Sequence, residues 1–494
     1  MKRLLLSTIP FLIACCLNAQ IQHPVAWLRA DSATLNAPSW VDVSGNGWNA
    51  VPSTGALPDT FARMNFNKCF EVNGGQIFEI CTHGIISQMA DAIIVYNTHD
   101  SIIENGLWSI VLDSIAGTGL TTHRILGEHG SILYDTANRP RNVINYLFQS
   151  WETTPTDSQM LRIGVADSIF FEGNVSEFVI FDHHLSDTSL TQWLSYLAIK
   201  YGATLYKTNY LDSRKQCIWS YDLAPAKSYS IAGIGRDDVM GLNQKQTYFA
   251  DDCLVWGLGA LAPENESNTT FLSNGSFIVM GMDSNALTIP TSLYLANGDE
   301  HLVVANSLVQ ITGDEMSQLS TFLRFNCELC PDSTNPILII DRSGTGEFHL
   351  EDLDFAYSNA DSAGTFMFSD LHWDVDGNGR DAFCISVSAD NKGLDMAGTR
   401  SSRVPDDESS DTQTTSKYLL TPNPASKHYR LEVDLAETSD IFVSITTADG
   451  KTVRAMTDAG YKHYVFDGYE DTPGVYLIEI ISNLEHKTLK LIIQ

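Results

Sequence analysis

Positive charge is the first thing this chain lacks. Lys and Arg number 30 against 60 Asp and Glu, a formal net charge of −30 over 494 residues. Neutralising nucleic-acid phosphate or an anionic membrane surface takes clustered Lys and Arg, so that balance excludes a nucleic-acid partner and a polybasic membrane anchor. Beyond the first residues there is no apolar run long enough for a transmembrane helix. No G-x-S-x-G elbow, H-E-x-x-H helix or G-x-x-x-x-G-K-[ST] loop occurs. Charged residues make up only 18%, while 44% are hydrophobic and 10% aromatic, which excludes wholesale disorder and supplies ample core. With 34 Gly and many Ser, Thr and Asn, the composition predicts a large, acidic, all-β chain of about three domains.

The N-terminus sets the compartment. Lys2-Arg3 precedes an apolar stretch from Leu4 to Leu17, of signal-peptide length, and Leu17-Asn18-Ala19 offers a cleavage site, so residues 1–19 are expected to be removed. The alternative is lipidation at Cys15, because Leu12-Ile13-Ala14-Cys15 resembles a lipoprotein signal. Without Cys15 and Cys16 the exported chain keeps cysteines 69, 81, 217, 253, 327, 330 and 384. An oxidising compartment predicts some disulfides, with Cys69/Cys81 and Cys217/Cys253 near enough in sequence to pair. Cys327-Glu-Leu-Cys330 has no second C-x-x-C or H-x-x-x-H half, so it reads as a local disulfide or two buried thiols rather than a zinc or redox site.

Residues 20–204 fall into short alternating runs such as Ile77-Phe78-Glu79-Ile80 and Glu177-Phe178-Val179-Ile180-Phe181. One helix is predicted from Ser189 to Tyr201, capped by Asp187 and stopped by Gly202, with Leu190, Trp193, Leu194, Leu197 and Ala198 on one apolar face. It is expected to clasp the first domain to the second. Strand-like patterns continue through 205–400. Residues 401–417 are polar and read as a linker, and 418–494 form a compact strand pattern.

Three blocks carry family resemblances. Ala26-Trp27-Leu28-Arg29-Ala30-Asp31, Trp40 to Ala50 and the closing Gly173 to Asp182 strand resemble concanavalin A-like (laminin-G-like) jelly rolls of bacterial surface proteins. Tyr196-Leu197-Ala198-Ile199-Lys200-Tyr201-Gly202, Ile231 to Asp238 and Leu242-Asn243-Gln244-Lys245-Gln246 resemble an uncharacterised β domain that follows such jelly rolls. Leu420-Thr421-Pro422-Asn423-Pro424-Ala425, Gly474 to Ile480 and the Lys487 to Gln494 strand resemble the type IX secretion C-terminal sorting domain. These resemblances imply a jelly-roll sandwich, a second β-rich domain and a small immunoglobulin-like sandwich. They also imply the type IX machinery as a partner and a cell-surface or extracellular location.

Candidate chemistry is sparse. Asp374-Val375-Asp376-Gly377-Asn378-Gly379-Arg380-Asp381 puts Asp374, Asp376, Asn378 and Asp381 at alternating positions that suit Ca²⁺, although position twelve is Ile385 where an EF-hand carries Glu. A self-capped hairpin is the competing reading. Asp341 to Glu347 is a similar, poorer turn. Glu432-Val433-Asp434-Leu435-Ala436-Glu437 has the spacing of a glycosidase pair but falls in the small terminal domain, where a sugar cleft has no room. Asp182-His183-His184 reads as a surface turn, and Gly233-Ile234-Gly235-Arg236 as a tight turn with Arg236 paired to carboxylates. Trp48, Trp108 and Trp151 are candidate sugar platforms, with core packing as the alternative. No cofactor is required. The expected function is a non-enzymatic exported binding protein or adhesin with a glycan or surface-protein ligand. The alternatives are a glycan-degrading enzyme with a site in the middle domain, or a structural surface-layer component.

Overall fold

The computed structural model describes residues 21–387 and 416–494, apart from 59, 83–88, 101, 113–114, 128–129, 134–141, 151–158, 250–252, 284–290, 295–299, 314, 327–335, 363–364, 422, 426, 448–450, 471 and 483–485. The signal peptide, Trp151, Cys327, Cys330, Pro422 and nearly all of the 401–417 linker lie outside the described residues. The chain divides into two compact units. One comprises Met1–Ser292, Leu302–Phe348 and Asp352–Ser388; the other comprises Leu293–His301, His349–Glu351 and Ala389–Gln494.

The first unit is built of two sandwiches. In the first, a six-stranded sheet runs Val143–Ser150, Met89–Thr98, Gly173–Phe181, Asn67–Val72, Ala62–Met64, with Ala26–Arg29 also paired to Gly173–Phe181. It faces a seven-stranded sheet in which Phe78–Thr82, Gln159–Ile163 and Gly106–Leu112 are central. Alternate residues meet between them, Phe70, Ile94, Tyr96, Phe178 and Ile180 from one sheet and Phe78, Ile80, Ile110, Leu161 and Ile163 from the other. The Trp40 to Ala50 block folds around Asp42, whose carboxylate accepts from the backbone N–H of Trp27, Ser44 and Trp48 at 2.8–3.0 Å. The second sandwich pairs an eight-stranded sheet, including Ser230–Asp237, Phe277–Met282 and Arg380–Ser386, with a five-stranded one around Leu254–Leu258 and Thr321–Asn326. Its core holds Trp256, Trp373, Phe368 and Phe383.

Strand Gly173–Phe181 is buried on both faces, which a one-sided sheet strand would not be. The cover is the helix, Asp187–Tyr201. Its N-cap is Ser186, whose side chain accepts from Ser189 N–H, so Asp187 is the first helical residue rather than the cap; Gly202 ends it in the left-handed region at φ 63°. The single apolar stripe is also corrected. From Ser195 to Tyr201 every residue is buried, while Leu190 and Leu194 are only half-buried. The reason is that the helix lies between the sandwiches. Trp193 packs edge-on to Trp27 and Phe181 and donates to Gln22 O at 3.0 Å. On the opposite flank Gln192 donates to Asp212 O at 2.8 Å and Ser195 Oγ accepts from Leu211 N–H at 2.9 Å. Gly233 and Gly235 lie within strand Ser230–Asp237, not in a turn. A Cβ on Gly233 would come within 2.5 Å of Ile199 Cδ1, so the glycine permits the helix to sit against the sheet.

A second device joins the sandwiches. Met64 pairs with Asn67, leaving Asn65 and Phe66 as a two-residue hairpin tip with φ of 48° and 63°. Phe66 stacks on Tyr248 at 4.1 Å and packs with Val255 and Phe322 of the second sandwich.

The five described cysteines, 69, 81, 217, 253 and 384, are thiols, and the expected Cys69/Cys81 and Cys217/Cys253 disulfides are absent. Cys69 alternates with the core residues Phe70 and Val72 on the outer face of one sheet. Cys81 alternates with core Ile80 on the other sheet. The whole first sandwich therefore separates them. Cys217 sits on the ribbon formed with Tyr210–Leu211, whereas Cys253 leads into the Leu254–Leu258 strand.

The second unit has a five-stranded arrangement in which His428–Thr447 bends with register shifts, pairing with Lys417–Thr421, Thr452–Tyr469 and Gly474–Ser482. Leu431, Val433, Ile441, Val443, Ile445, Tyr464 and Ile478 fill its own core.

Candidate functional site

The Asp374–Asp381 loop, weighed as a Ca²⁺ candidate against a self-capped hairpin, is tied by hydrogen bonds among its own groups. Asp374 N–H donates to Asp381 Oδ2 at 2.6 Å, and Gly379 N–H to Asp374 Oδ1 at 2.6 Å. Asn378 Nδ2 donates to Asp376 Oδ2 at 2.6 Å and to Arg342 O at 2.9 Å. Asn378 Oδ1 in turn accepts from Arg380 N–H at 2.8 Å. Asp374 and Asp381 are thus brought together, while Asp376 and Asn378 bind each other at the exposed rim. Asp381 is buried, and burial pushes its carboxyl up to about 6 although Arg342 Nη1 stands 3.2 Å away and pulls the other way. Among the described residues no three His, Cys, Asp or Glu side chains gather to hold a metal ion. The neighbouring turn is tied the same way, with buried Asp341 accepting from Ser343 and Gly346 N–H.

A polar cleft of about 280 Å³ forms where the two sandwiches and the helix meet. Arg29, Asp31 and Lys200 line it, and they belong to an ionic cluster that continues inward to the buried Glu177. Lys200 Nζ, 4% exposed, donates to Glu177 Oε2 at 2.9 Å and to Asp31 Oδ2 at 2.8 Å. Glu177 also accepts from the hydroxyls of Tyr196 at 2.9 Å and Tyr201 at 2.7 Å and from the Trp27 indole. Arg29 clamps Asp31 through Nε at 3.1 Å and Nη2 at 3.0 Å. Gly241, at φ 62°, lies under Arg29, where a Cβ would fall 2.7 Å from Nη1. Burial would raise Asp31, but Lys200 and Arg29 together hold its carboxyl well below the usual carboxylate range. Burial would lower Lys200, but Asp31 and Glu177 raise it above its ordinary value. The rim carries Lys68 paired to Glu266 at 3.0 Å and Arg63 paired to Glu264. The walls are amides in fixed positions: Asn67 Nδ2 donates to Lys200 O at 2.7 Å, and Asn265 Nδ2 to Asn243 O at 2.8 Å.

The other sequence candidates take structural places. Trp108 is buried in the first core, which leaves it no face for a sugar, and Trp48 is partly buried against the edge of that core. His183 Nδ1 lies 2.8 Å from Asp182 Oδ1, and His184 Nδ1 lies 3.2 Å from the buried Asp91. Arg236 pairs with Asp238 at 2.7 Å. Glu432 and Asp434 alternate with the core residues Leu431, Val433 and Leu435, and Asp434 is held by His463. Sequence reasoning missed the cleft, because Asp31, Glu177, Lys200 and Lys245 share no spacing. A signal was nevertheless present: Arg29 and Asp31 of W-L-R-A-D, Lys200 of L-A-I-K-Y-G, and Asn243, Gln244 and Lys245 of L-N-Q-K-Q all line this one place.

The profile of a family described as a domain of unknown function (DUF8202) matches residues 190–378. That of the secretion system C-terminal sorting domain matches residues 420–494. No curated protein matches the chain. Among solved structures, domain 4 of AbnA, a GH43 extracellular arabinanase from Geobacillus stearothermophilus, is 12% identical over 34% of this chain and 96% of its own, at TM-score 0.27. A Trypanosoma rangeli sialidase is 11% identical over 33% of this chain and 31% of its own, at 0.26. Latent PorU from Porphyromonas gingivalis is 10% identical over 86% and 32%, at 0.14. Likenesses of this size carry no functional argument. The terminal match marks the chain for type IX export to the cell surface or the extracellular space. Among the described residues no helix is long and apolar enough to cross a membrane.

Proposed function

We propose that the exported chain is a non-enzymatic binding protein, with the first sandwich as a laminin-G-like contact module and the cleft beside it as the contact site for a glycan or a surface protein. The observation that supports this reading is the ion pairing beneath the cleft, where Lys200 Nζ lies 2.8 Å from Asp31 and 2.9 Å from Glu177. General acid–base work near neutral pH needs a group whose pKa lies near 7. Asp31 is held far below that and Lys200 far above it, each by the other and by Arg29 or Glu177. Such groups stay charged and fixed, which suits them to orient hydrogen bonds to a polar ligand rather than to pass protons. The rim pairs Lys68–Glu266 and Arg63–Glu264 offer both donors and acceptors, as vicinal hydroxyls require.

The test is the purified exported protein on a glycan array beside a polysaccharide digestion panel. Retention on the array without released sugar is the expected result. Product release without tight binding would replace this reading with that of a glycan-degrading enzyme.

A further inference from the structure

We infer that the cleft selects acidic sugars: it takes a sugar unit bearing one carboxylate, such as a uronate, with Lys245 as the counter-ion and Arg29 as a further donor. The inference rests on the binding reading above and names the ligand class of the same site. The charge balance of the cleft runs against that of the chain. Over the whole sequence two carboxylates stand for each Lys or Arg, 60 against 30. In the cleft Arg29, Lys68, Lys200 and Lys245 face Asp31, Glu264 and Glu266, four cations against three carboxylates. Counting Arg63 and Glu177, which pair with these residues, makes it five against four, the same excess of one positive charge.

The hydrogen bonds show which of these charges is still open. An ammonium has three N–H donors, and those of Lys200 go to Glu177, Asp31 and, at 3.0 Å, the Tyr196 hydroxyl. Asp31 accepts from Arg29 at both oxygens and from Lys200, so its charge is already shared. Lys68 and Arg63 hold Glu266 and Glu264. Arg29 spends Nε and Nη2 on Asp31, whereas Nη1 has no acceptor among the described residues. Glycine at 241 keeps that nitrogen uncovered, since any Cβ there would stand 2.7 Å from it. Lys245 is the second open cation. Its ammonium donates to the neutral Asn268 carbonyl, and no carboxylate among the described residues pairs with it. Burial, and after it the charge of Arg236, lowers Lys245 below its ordinary value. A half-buried cation without a counter-ion is costly, and a bound carboxylate supplies one.

Lys245 stands on fixed backbone. Its N–H donates to Asn265 Oδ1 at 2.7 Å, and Asn265 Nδ2 donates to Asn243 O at 2.8 Å, so one amide pins the chain on both sides of Gln244. Gln244 is itself buried and donates to Asn65 O at 3.1 Å and Gln246 O at 2.7 Å. A backbone set in advance lowers the ordering entropy that binding must overcome.

Size and lining favour a sugar over a protein surface. At about 280 Å³ the cleft lies at the small end of ligand pockets, which run from roughly 300 to 1,000 Å³. Asn243 lines it with an exposed side-chain amide that has no partner among the described residues, and an amide offers the donor and acceptor that ring hydroxyls use. The net charge of −30 repels a dense polyanion, so an isolated carboxylate on a largely neutral glycan fits best.

The experiment titrates the full chain by calorimetry with glucuronyl, galacturonyl and sialyl oligosaccharides, each beside its methyl ester, and with a peptide ending in a free carboxylate. Expected is binding of at least one acidic sugar, with its ester weaker by roughly tenfold or more, because the ester removes the charge and keeps the ring. Lys245→Met should lose a similar factor for the acid and leave the ester unchanged, and Lys245→Arg should restore most of the preference. Circular dichroism checks that each variant is folded; if Lys245→Met is not, acid against ester on the parent decides alone. Equal affinity for acid and ester, or a folded Lys245→Met that keeps the preference, would overturn the inference and leave the binding reading intact. Binding of the peptide and of no sugar would overturn the sugar as occupant and leave a protein ligand. A parent that binds none of these probes would overturn the inference, and one that also binds nothing on the glycan array would remove the glycan reading itself.

Discussion

Replacing Lys200 with Met removes the cation that two carboxylates share. Truncating one member of a buried ion pair typically costs about 3–5 kcal/mol, because the partner's charge is left uncompensated. Here the loss should sit near the lower end. Asp31 keeps both contacts to Arg29, and Glu177 keeps Tyr196, Tyr201 and the Trp27 indole as donors. A loss of about 3 kcal/mol is therefore expected for Lys200→Met. Adding Glu177→Gln removes the charge left behind, so the double variant should be less damaged than the sum of the singles, with a coupling of about 1–3 kcal/mol. Urea unfolding of the full chain, followed by tryptophan fluorescence and by circular dichroism, reads both quantities, since Trp27 and Trp193 lie beside the cluster. A single variant that loses less than about 1 kcal/mol, or strictly additive singles, would show that the cluster is not coupled.

The same cluster fixes a pH profile. Asp31 is depressed in the folded state, so its contribution is complete above the unfolded value near 3.9 and is lost as pH falls further toward the folded one. Lys200 is raised, so its contribution is complete below the unfolded value near 10.4 and is lost as pH rises through the folded one. Stability should be level from about pH 5 to pH 9 as far as this cluster is concerned, and Lys200→Met should flatten the alkaline decline.

Phe66→Ala should cost about 3–5 kcal/mol, as large aromatic deletions do, and should open the junction between the sandwiches to limited proteolysis; an unchanged digest would show the hairpin tip to be peripheral. Chelation of Ca²⁺ should leave the melting temperature within about 1 °C, because the 374–381 side chains cap their own loop and Arg342 already faces Asp381; a drop of several degrees would establish a bound ion. Deleting 418–494 removes a unit with its own core, so the remainder should fold but stop in the periplasm, and normal surface delivery of the truncated chain would refute the sorting role.

Strand alternation, the terminal sorting unit and the position of the helix were legible in the sequence because each rests on neighbours within a few residues. The cleft was not. In Glu177-Phe178-Val179-Ile180-Phe181 the glutamate occupies the place that alternation assigns to solvent, and it is buried only because a helix covers that face. Lys200 looks like a solvated charge in an apolar helix until Asp31 and Glu177 are placed beside it. Pairing across elements has no period, so periodicity cannot reveal it. The cysteines failed for a related reason. Nearness in sequence placed Cys69 and Cys81 together, but the strands that carry them belong to opposite sheets.

The helix also explains why a boundary at 204/205 does not separate two independent bodies. One flank of Asp187–Tyr201 completes the first sandwich through Trp193, Tyr196 and Lys200. The other packs on Ser230–Asp237 and the Tyr210–Leu211 ribbon through Ile199, Gln192 and Ser195. The DUF8202 match begins at residue 190, inside this helix, so the second domain's sequence pattern already includes the element that closes the first. A side chain on such a shared helix answers to both sandwiches, which is why seven consecutive residues, polar and apolar alike, are buried at its C-terminal end. A charged residue survives there only with partners from another element. Asp31 comes from the first sandwich's opening block and Glu177 from its closing strand. The cleft is therefore a consequence of the joint itself, and a ligand bound in it would touch the two sandwiches at once.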